Sequence, residues 1–138
     1  RLDRPTPRVA AGMAIRGLAN AAIDVSDGLA QDLGHILAAS GLGADLELGR
    51  LPVSSSLLEF HPDDETRWRL QLAGGDDYEL VFTAPENQRQ AIASASTSSA
   101  TPVTRIGKIT AHPHLSLLDN NGQSLPHSFE SFDHFKTP

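Results

Sequence analysis

Ala21-Ala-Ile-Asp-Val-Ser-Asp-Gly-Leu-Ala-Gln-Asp-Leu-Gly-His-Ile-Leu37 is the stretch of sequence that decides the fold. Its first five residues are mostly apolar and predict a β-strand. After the turn residues 26–28, leucine and isoleucine recur at helical spacing until Ser40-Gly-Leu-Gly43 ends the predicted helix. A strand that passes through a tight turn into a helix is the basic unit of a sheet covered by helices.

The rest of the chain extends this pattern in both directions. Residues 94–99 are small and polar, which predicts an exposed loop, and 119–122 have the composition of a turn. Because strands and helices alternate, the sequence predicts an α/β (α+β) fold with a mixed β-sheet flanked by helices. Further strands are predicted over 44–48, 78–83, 103–109 and 115–118, and further helices over 9–18, 54–60, 63–72 and 86–95.

Composition restricts the class of protein. The chain has 138 residues, which fits one domain, and its formal charge is −6. Lys and Arg are scattered, which argues against a nucleic-acid surface, and no apolar run approaches the roughly 20 residues of a membrane span. The absence of cysteine excludes a disulfide framework and a cysteine nucleophile. We therefore expect a soluble, cytoplasmic protein that binds neither nucleic acid nor membrane.

The turn between the first predicted strand and helix carries candidate chemistry. Asp24 and Asp27 are three residues apart and could ligate a hard divalent cation such as Mg²⁺, while free N–H groups at the helix start could donate to phosphate oxygens. A purely structural interpretation is equally open at this point. Ser26 as the N-cap and Asp27 in the first turn would stabilise the helix by roughly 0.3–2 kcal/mol without any ligand.

A second candidate segment is Gly74-Gly-Asp-Asp-Tyr-Glu-Leu80. Two glycines permit backbone shapes that other residues avoid and let a ligand approach closely, and the carboxylates that follow are available to bind it. The alternative is a polar turn between a helix and a strand, with its carboxylates facing water. The sequence of this segment alone does not separate the two.

Six motifs along the chain, taken together, are more informative than any one of them. They are Arg4-Pro-Thr-Pro-Arg8, Ile23-Asp-Val-Ser-Asp-Gly-Leu29 with its continuation to Ile36, Ser40-Gly-Leu-Gly-Ala44, Gly74-Gly-Asp-Asp-Tyr-Glu-Leu80, Thr104-Arg-Ile-Gly107 and Phe132-Asp-His-Phe135. In this order and spacing they closely resemble the thiamine-monophosphate kinase family, and the resemblance runs nearly from end to end of the chain. It covers only the C-terminal domain of those enzymes, which are similar to aminoimidazole-ribonucleotide and selenophosphate synthetases.

The resemblance assigns roles to particular residues. It implies that Asp24 and Asp27 are catalytic ligands of Mg²⁺, that Ser26 contacts ATP, and that Asp76 and Phe132 contact thiamine monophosphate. In this family a Glu is usual where this chain has Asp76. The shorter carboxylate is expected to alter the contact with the substrate without removing it.

The resemblance also implies an organisation and an activity. We expect 1–8 to be a linker from an absent N-terminal domain and 9–138 to be a single C-terminal domain that binds ATP and substrate. The full-length enzyme is expected to be a homodimer that transfers the γ-phosphoryl group of ATP to thiamine monophosphate. The alternatives are another ATP-dependent synthetase of the same superfamily and a binding module without catalysis.

Overall fold

The structure, a computed structural model, describes residues 5–125. Helices and strands alternate along most of this length, so the mixed α/β class is confirmed. There are also two short 3₁₀ helices in the described residues, Leu48–Arg50 and Glu86–Gln88. In chain order the helices and strands are α1 (Val9–Ala14), β1 (Ala21–Val25), α2 (Leu29–Ser40), β2 (Gly43–Glu47), α3 (Ser55–Phe60), α4 (Asp64–Ala73), β3 (Glu79–Thr83), α5 (Arg89–Ser98), β4 (Gly107–Thr110), β5 (Leu115–Leu118) and β6 (Ser124–Leu125).

The strands of the described residues divide between two sheets. β1 and β3 form an antiparallel pair in which Asp24 lies opposite Leu80. The other sheet has the order β4-β2-β5-β6, and β2 runs parallel to β5 but antiparallel to β4. The sequence pattern predicted the mixed strand directions, whereas the division into two sheets depends on pairings between distant segments.

One apolar core joins the two sheets. Helix α2 packs on β1 and contacts β3, β2 and α4, so its buried face lies at the centre of the domain. Leu33, Ile36 and Leu37 supply that face. The core also includes residues of both sheets, and its most deeply buried side chains are those of Leu46, Leu48, Leu72 and Leu117.

Local signals define several helix ends. Ser54 and Asp63 cap α3 and α4, since their side chains accept from the backbone N–H groups of Leu57 and Thr66. Helix α2 ends at Gly41, whose φ of 64° is the left-handed conformation that glycine adopts readily. No helix within residues 5–125 has the length and apolar character needed to cross a membrane.

Two sequence predictions in the second half of the chain are wrong in detail. The predicted loop at 94–99 is instead the last part of α5, which continues to Ser98. The hydroxyls of Ser94 and Thr97 bond to the carbonyls of Gln90 and Ala93 within the helix, and Ala95 is buried, so small polar residues did not prevent helix formation here.

The predicted strand over 103–109 begins only at Gly107, because β4 pairs with β2 from that residue onward. The chain just before it contributes a single bond to β2, from the N–H of Glu47 to the carbonyl of Ile106. Strand β6, which pairs with β5 after the turn at 119–122, was not predicted.

Candidate active site

Two loops lie against each other at the end of the β1–β3 pair. The first connects β1 to α2 (residues 26–28) and the second connects α4 to β3 (residues 74–78). The backbone N–H of Asp76 donates to the carbonyl of Ser26 at 2.9 Å, and that of Tyr78 donates to the carbonyl of Val25 at 2.9 Å. The two segments that the sequence singled out for chemistry therefore form one surface.

Glycine permits this close approach. A Cβ atom at Gly75 would lie 2.5 Å from the carbonyl oxygen of Ser26, which is closer than van der Waals contact allows. Gly28 has a φ of 119°, and a Cβ there would lie 2.9 Å from the carbonyl oxygen of Leu72. A larger residue at Gly75 would push the two loops apart, and one at Gly28 would push the first loop away from the C-terminal end of α4.

The end of β1 and the first loop present one carboxylate each, at different depths. Asp24 is exposed at the end of β1, and Asp27 is half-buried with its Oδ2 accepting from the Nε2 of Gln31 at 3.3 Å. Within residues 5–125 no group of three or more His, Cys, Asp or Glu side chains is arranged to hold a metal ion. Within the described part of the chain, a cation could therefore find two carboxylates here, with water as a further ligand, which is a ligand set that Mg²⁺ accepts.

The predicted cap at the start of α2 is wrong. The helix begins at Leu29 with Gly28 in the N-cap position, where no side chain caps it, so Ser26 is not the cap and Asp27 precedes the first turn. Asp32 instead provides the side-chain hydrogen bonds at this turn. Its Oδ2 accepts from the backbone N–H of Ser26 at 2.9 Å and from that of Asp27 at 3.1 Å. These two N–H groups are therefore bonded to Asp32, while the helix start at which phosphate binding was expected lies further along the chain, at Leu29.

The second loop is strained at two residues. Asp76 has a φ of 62° and Tyr78 a φ of 51°. These values lie in the left-handed region, which residues other than glycine adopt at a cost in conformational free energy. The Tyr78 hydroxyl donates to the Oδ1 of Asp76 at 2.9 Å. This hydrogen bond, the charge of Asp76 and, further away, the charge of Asp24 raise the pKa of the Tyr78 phenol above its ordinary value.

A broad, open hollow of about 730 Å³ borders this surface. It is lined by α1, by the chain leading into β1, by Asp24 and by Leu80. Arg8 ties α1 to the second loop's strand, since its guanidinium makes two 2.8 Å hydrogen bonds with the carboxylate of Glu79. The hollow is mostly apolar, and Asp24 is one of the polar residues that line it.

The structure brings together most of the residues that the sequence nominated. The loops that carry Asp24, Ser26, Asp27 and Asp76 meet, whereas Phe132 lies outside the described residues. Sequence reasoning did not assign a role to Asp32. An acidic residue among the leucines and isoleucines of the α2 core face is the signal that could have found it.

The chain matches known proteins over most of its length. Residues 3–120 match the family model described as AIR synthase related protein, C-terminal domain. The thiamine-monophosphate kinase of Escherichia coli is 44% identical over 135 residues, which are 98% of this chain and 41% of that protein. The chain thus spans about two fifths of the length of the curated relatives that it matches.

Solved structures agree with this. The thiamine-monophosphate kinase of Stenotrophomonas maltophilia is 44% identical with a TM-score of 0.79, over 88% of this chain and 37% of that one. AaThiL complexed with AMPPCP and TMP is 28% identical with a TM-score of 0.68, over 88% of this chain and 36% of that one. The match to the family model covers most of the chain and includes both loops of the candidate site, and the chain therefore belongs to the AIR synthase related proteins, as their C-terminal domain.

Proposed function

We propose that this chain is the C-terminal domain of a cytoplasmic kinase that transfers the γ-phosphoryl group of ATP to thiamine monophosphate and gives thiamine diphosphate. The observation that carries the proposal is the contact between the loop of Asp24, Ser26 and Asp27 and the loop of Asp76. The acceptor is itself a phosphate oxygen and needs no strong general base. What the reaction needs is a surface that holds two anions in line.

The relatives support this reaction over others of the same fold. A relative 44% identical over nearly the whole chain is a thiamine-monophosphate kinase, and AaThiL has been captured with AMPPCP and TMP together. AMPPCP is an ATP analogue with a methylene bridge between its β and γ phosphorus atoms, so a structure that holds it together with TMP fits a transfer of the γ-phosphoryl group between two bound ligands. A different synthetase of the superfamily and a binding module without catalysis are the competing functions.

The donor set of the first loop suits magnesium. In this proposal Asp24 and Asp27 would each contribute at least one oxygen ligand, and the rest of the shell would be left to water and to other ligands. Magnesium, when bound, neutralises phosphate charge and stabilises the transferring group. Because the formal charge of the chain is −6, such a cation would also reduce its repulsion of the anionic phosphate groups of both substrates.

The remaining roles follow from the chemistry of the side chains. The backbone N–H of Ser26 donates to Asp32, and we assign the contact with ATP to the Ser26 hydroxyl. Thiamine carries a cationic thiazolium ring and an aminopyrimidine, and the exposed carboxylate of Asp76 can face the cation or accept from the amine. Phe132 is proposed to stack on one of these rings.

An N-terminal domain is proposed to complete the site, and the complete enzyme is proposed to be a homodimer. Two carboxylates leave most of the metal shell to other ligands, and the hollow beside Asp24 is open to a neighbouring domain. We therefore expect the 138-residue chain alone to show no conversion of thiamine monophosphate. Measurable turnover by the purified chain would contradict this division of labour.

The direct test is a chimaera in which this chain replaces the matching C-terminal region of the Escherichia coli enzyme. We expect ATP-dependent formation of thiamine diphosphate that Asp24→Asn or Asp27→Asn lowers by at least about a hundredfold, because charge stabilisation of a transferring group has effects of that size. Neither residue caps α2, so the melting temperature of each variant is expected to change little.

The competing functions give different results in the same assay. A folded chimaera that turns over ATP with another nucleophile and not with thiamine monophosphate would favour a different synthetase. A folded chimaera that binds nucleotide without turnover would favour a binding module. Equal activity in the wild-type and Asp24→Asn chimaeras would reject the magnesium assignment.

A further inference from the structure

Asp32 is the one charged side chain in the buried core of residues 5–125, with an exposure of 2%. It lies in the first turns of α2 on the same side as Leu33 and Ile36, where an apolar residue would be expected. Removing a carboxylate from water is costly unless hydrogen bonds compensate for it. The compensation here comes from the backbone of the first loop of the candidate site.

Asp32 accepts two backbone hydrogen bonds, and both are made to the same carboxylate oxygen. The Oδ2 of Asp32 accepts from the N–H groups of Ser26 and Asp27, at 2.9 and 3.1 Å. Two consecutive peptide planes are thereby oriented toward one buried oxygen. Since the direction of each side chain follows from its backbone, this contact also determines where the Ser26 and Asp27 side chains leave the chain.

Asp24 is held by different means. It belongs to β1 and lies opposite Leu80 in the ladder with β3. The position of Asp24 is therefore set by the β1–β3 pair, and the position of Asp27 by the contact of its backbone with Asp32. Two carboxylates that approach the same cation repel each other before it binds, and an untethered loop would let Asp27 turn away.

We propose that Asp32 is a positioning residue, whose buried carboxylate holds the 26–27 backbone in the shape that lets Asp24 and Asp27 bind one divalent cation. The inference rests on the proposed metal role of these two residues, and it adds a residue that touches neither metal nor substrate. An acidic residue that served only the helix dipole would need no buried contact with this loop.

The test uses the ¹⁵N-labelled 138-residue chain and two substitutions at Asp32. Asp32→Leu keeps a similar volume and removes the acceptor. Asp32→Asn keeps one carbonyl oxygen that can accept from both N–H groups. Leu37→Ala is the matched control, because it removes buried packing from the same helix at a position five residues after Asp32.

The first measurement is amide hydrogen exchange at Ser26 and Asp27, divided by exchange at Ile36 in the same sample to remove the effect of overall stability. We expect this ratio to rise by about tenfold or more in Asp32→Leu and to stay within about threefold in Asp32→Asn and Leu37→Ala. If Asp32→Leu does not fold, Asp32→Ser replaces it, because its short hydroxyl cannot reach both N–H groups. Unchanged ratios in the folded variant would overturn the proposal.

The second measurement is the Mn²⁺ concentration that half-broadens the amide signals of residues 24–28. We expect it to rise by about tenfold in Asp32→Leu and to recover to within about threefold of wild type in Asp32→Asn. A rise of the same size in Leu37→Ala would assign the effect to general destabilisation and overturn the proposal.

The two proposals fail in distinguishable ways. An inactive chimaera with intact Mn²⁺ binding would reject the kinase and leave the role of Asp32 standing. A wild-type chain without any Mn²⁺ effect at 24–28 would overturn the metal role of Asp24 and Asp27 and, with it, the positioning role of Asp32.

Discussion

Tyr78 is a natural reporter of the candidate site at the scale of single residues. It is the only tyrosine of the chain, so the phenolate absorbance near 295 nm reports this residue alone. Its hydroxyl donates to Asp76, and the negative charges of Asp76 and Asp24 disfavour a phenolate. The pKa of Tyr78 therefore reports the negative charge that surrounds its hydroxyl in the candidate site.

We expect the Tyr78 absorbance to titrate with a midpoint above 10, the ordinary pKa of tyrosine. A raised folded pKa means that the contribution of this group to stability is complete below pH 10 and is lost as the pH rises through the folded pKa. Asp76→Asn should move the midpoint back toward 10, because it removes the charge while asparagine tolerates the left-handed backbone. The measurement is a spectrophotometric pH titration of both proteins.

Glu86→Gln is the control for this titration, since it removes the same charge from an exposed residue that pairs with Arg89 outside the two loops. It should leave the Tyr78 midpoint unchanged. A midpoint near 10 in the wild type, or an equal shift in both variants, would contradict the described contact between Tyr78 and Asp76.

At the scale of elements, the packing of the first loop against the C-terminal end of α4 depends on Gly28, the glycine that precedes α2. Gly28→Ala places a methyl group near the carbonyl of Leu72 at a φ of 119°, and we expect it to reduce the free energy of unfolding by about 1–3 kcal/mol. Gly34→Ala is the matched control within α2, where a Cβ meets nothing within 4 Å. It should raise stability by roughly 0.5–1 kcal/mol, as expected for alanine in place of glycine inside a helix.

Urea unfolding of the three proteins checks the pair of substitutions. Opposite signs for Gly28→Ala and Gly34→Ala are the expected result. Destabilisation by both would show that α2 tolerates no added methyl group, and stabilisation by both would show that Gly28 does not require its positive φ.

The elements also show how far sequence reasoning reaches. Periodic apolar residues predicted β1, α2 and β3, because these elements bury one face each and the pattern is local. The capping of α2 was predicted incorrectly, since Ser26 and Asp27 matched the local preference while a buried carboxylate six residues after Ser26 satisfied their N–H groups. The positive φ of Asp76 and Tyr78 had no local signal, because it arises from contact with a distant loop.

At the scale of the whole molecule, the core of α2 connects the candidate site to both sheets. The helix that carries Asp32 at its start packs on β1 and β3 and also contacts β2 of the second sheet. The sequence predicted which loops carry the chemistry, but their meeting depends on the antiparallel pairing of β1 with β3, which are separated by more than fifty residues. That pairing brings the two segments, which carry little information separately, together into one candidate site.

The contact between these loops is tested most directly by Mn²⁺ broadening of the ¹⁵N amide spectrum of the chain, with Mg²⁺ as the competitor. We expect the signals of 24–28 and of 75–78 to broaden in the same titration and Mg²⁺ to restore both sets. Asp24→Asn should reduce the broadening of both sets at a given Mn²⁺ concentration. Broadening at 24–28 that leaves 75–78 unchanged, or broadening confined to other exposed acids such as Glu59 and Glu65, would contradict a single site built from the two loops.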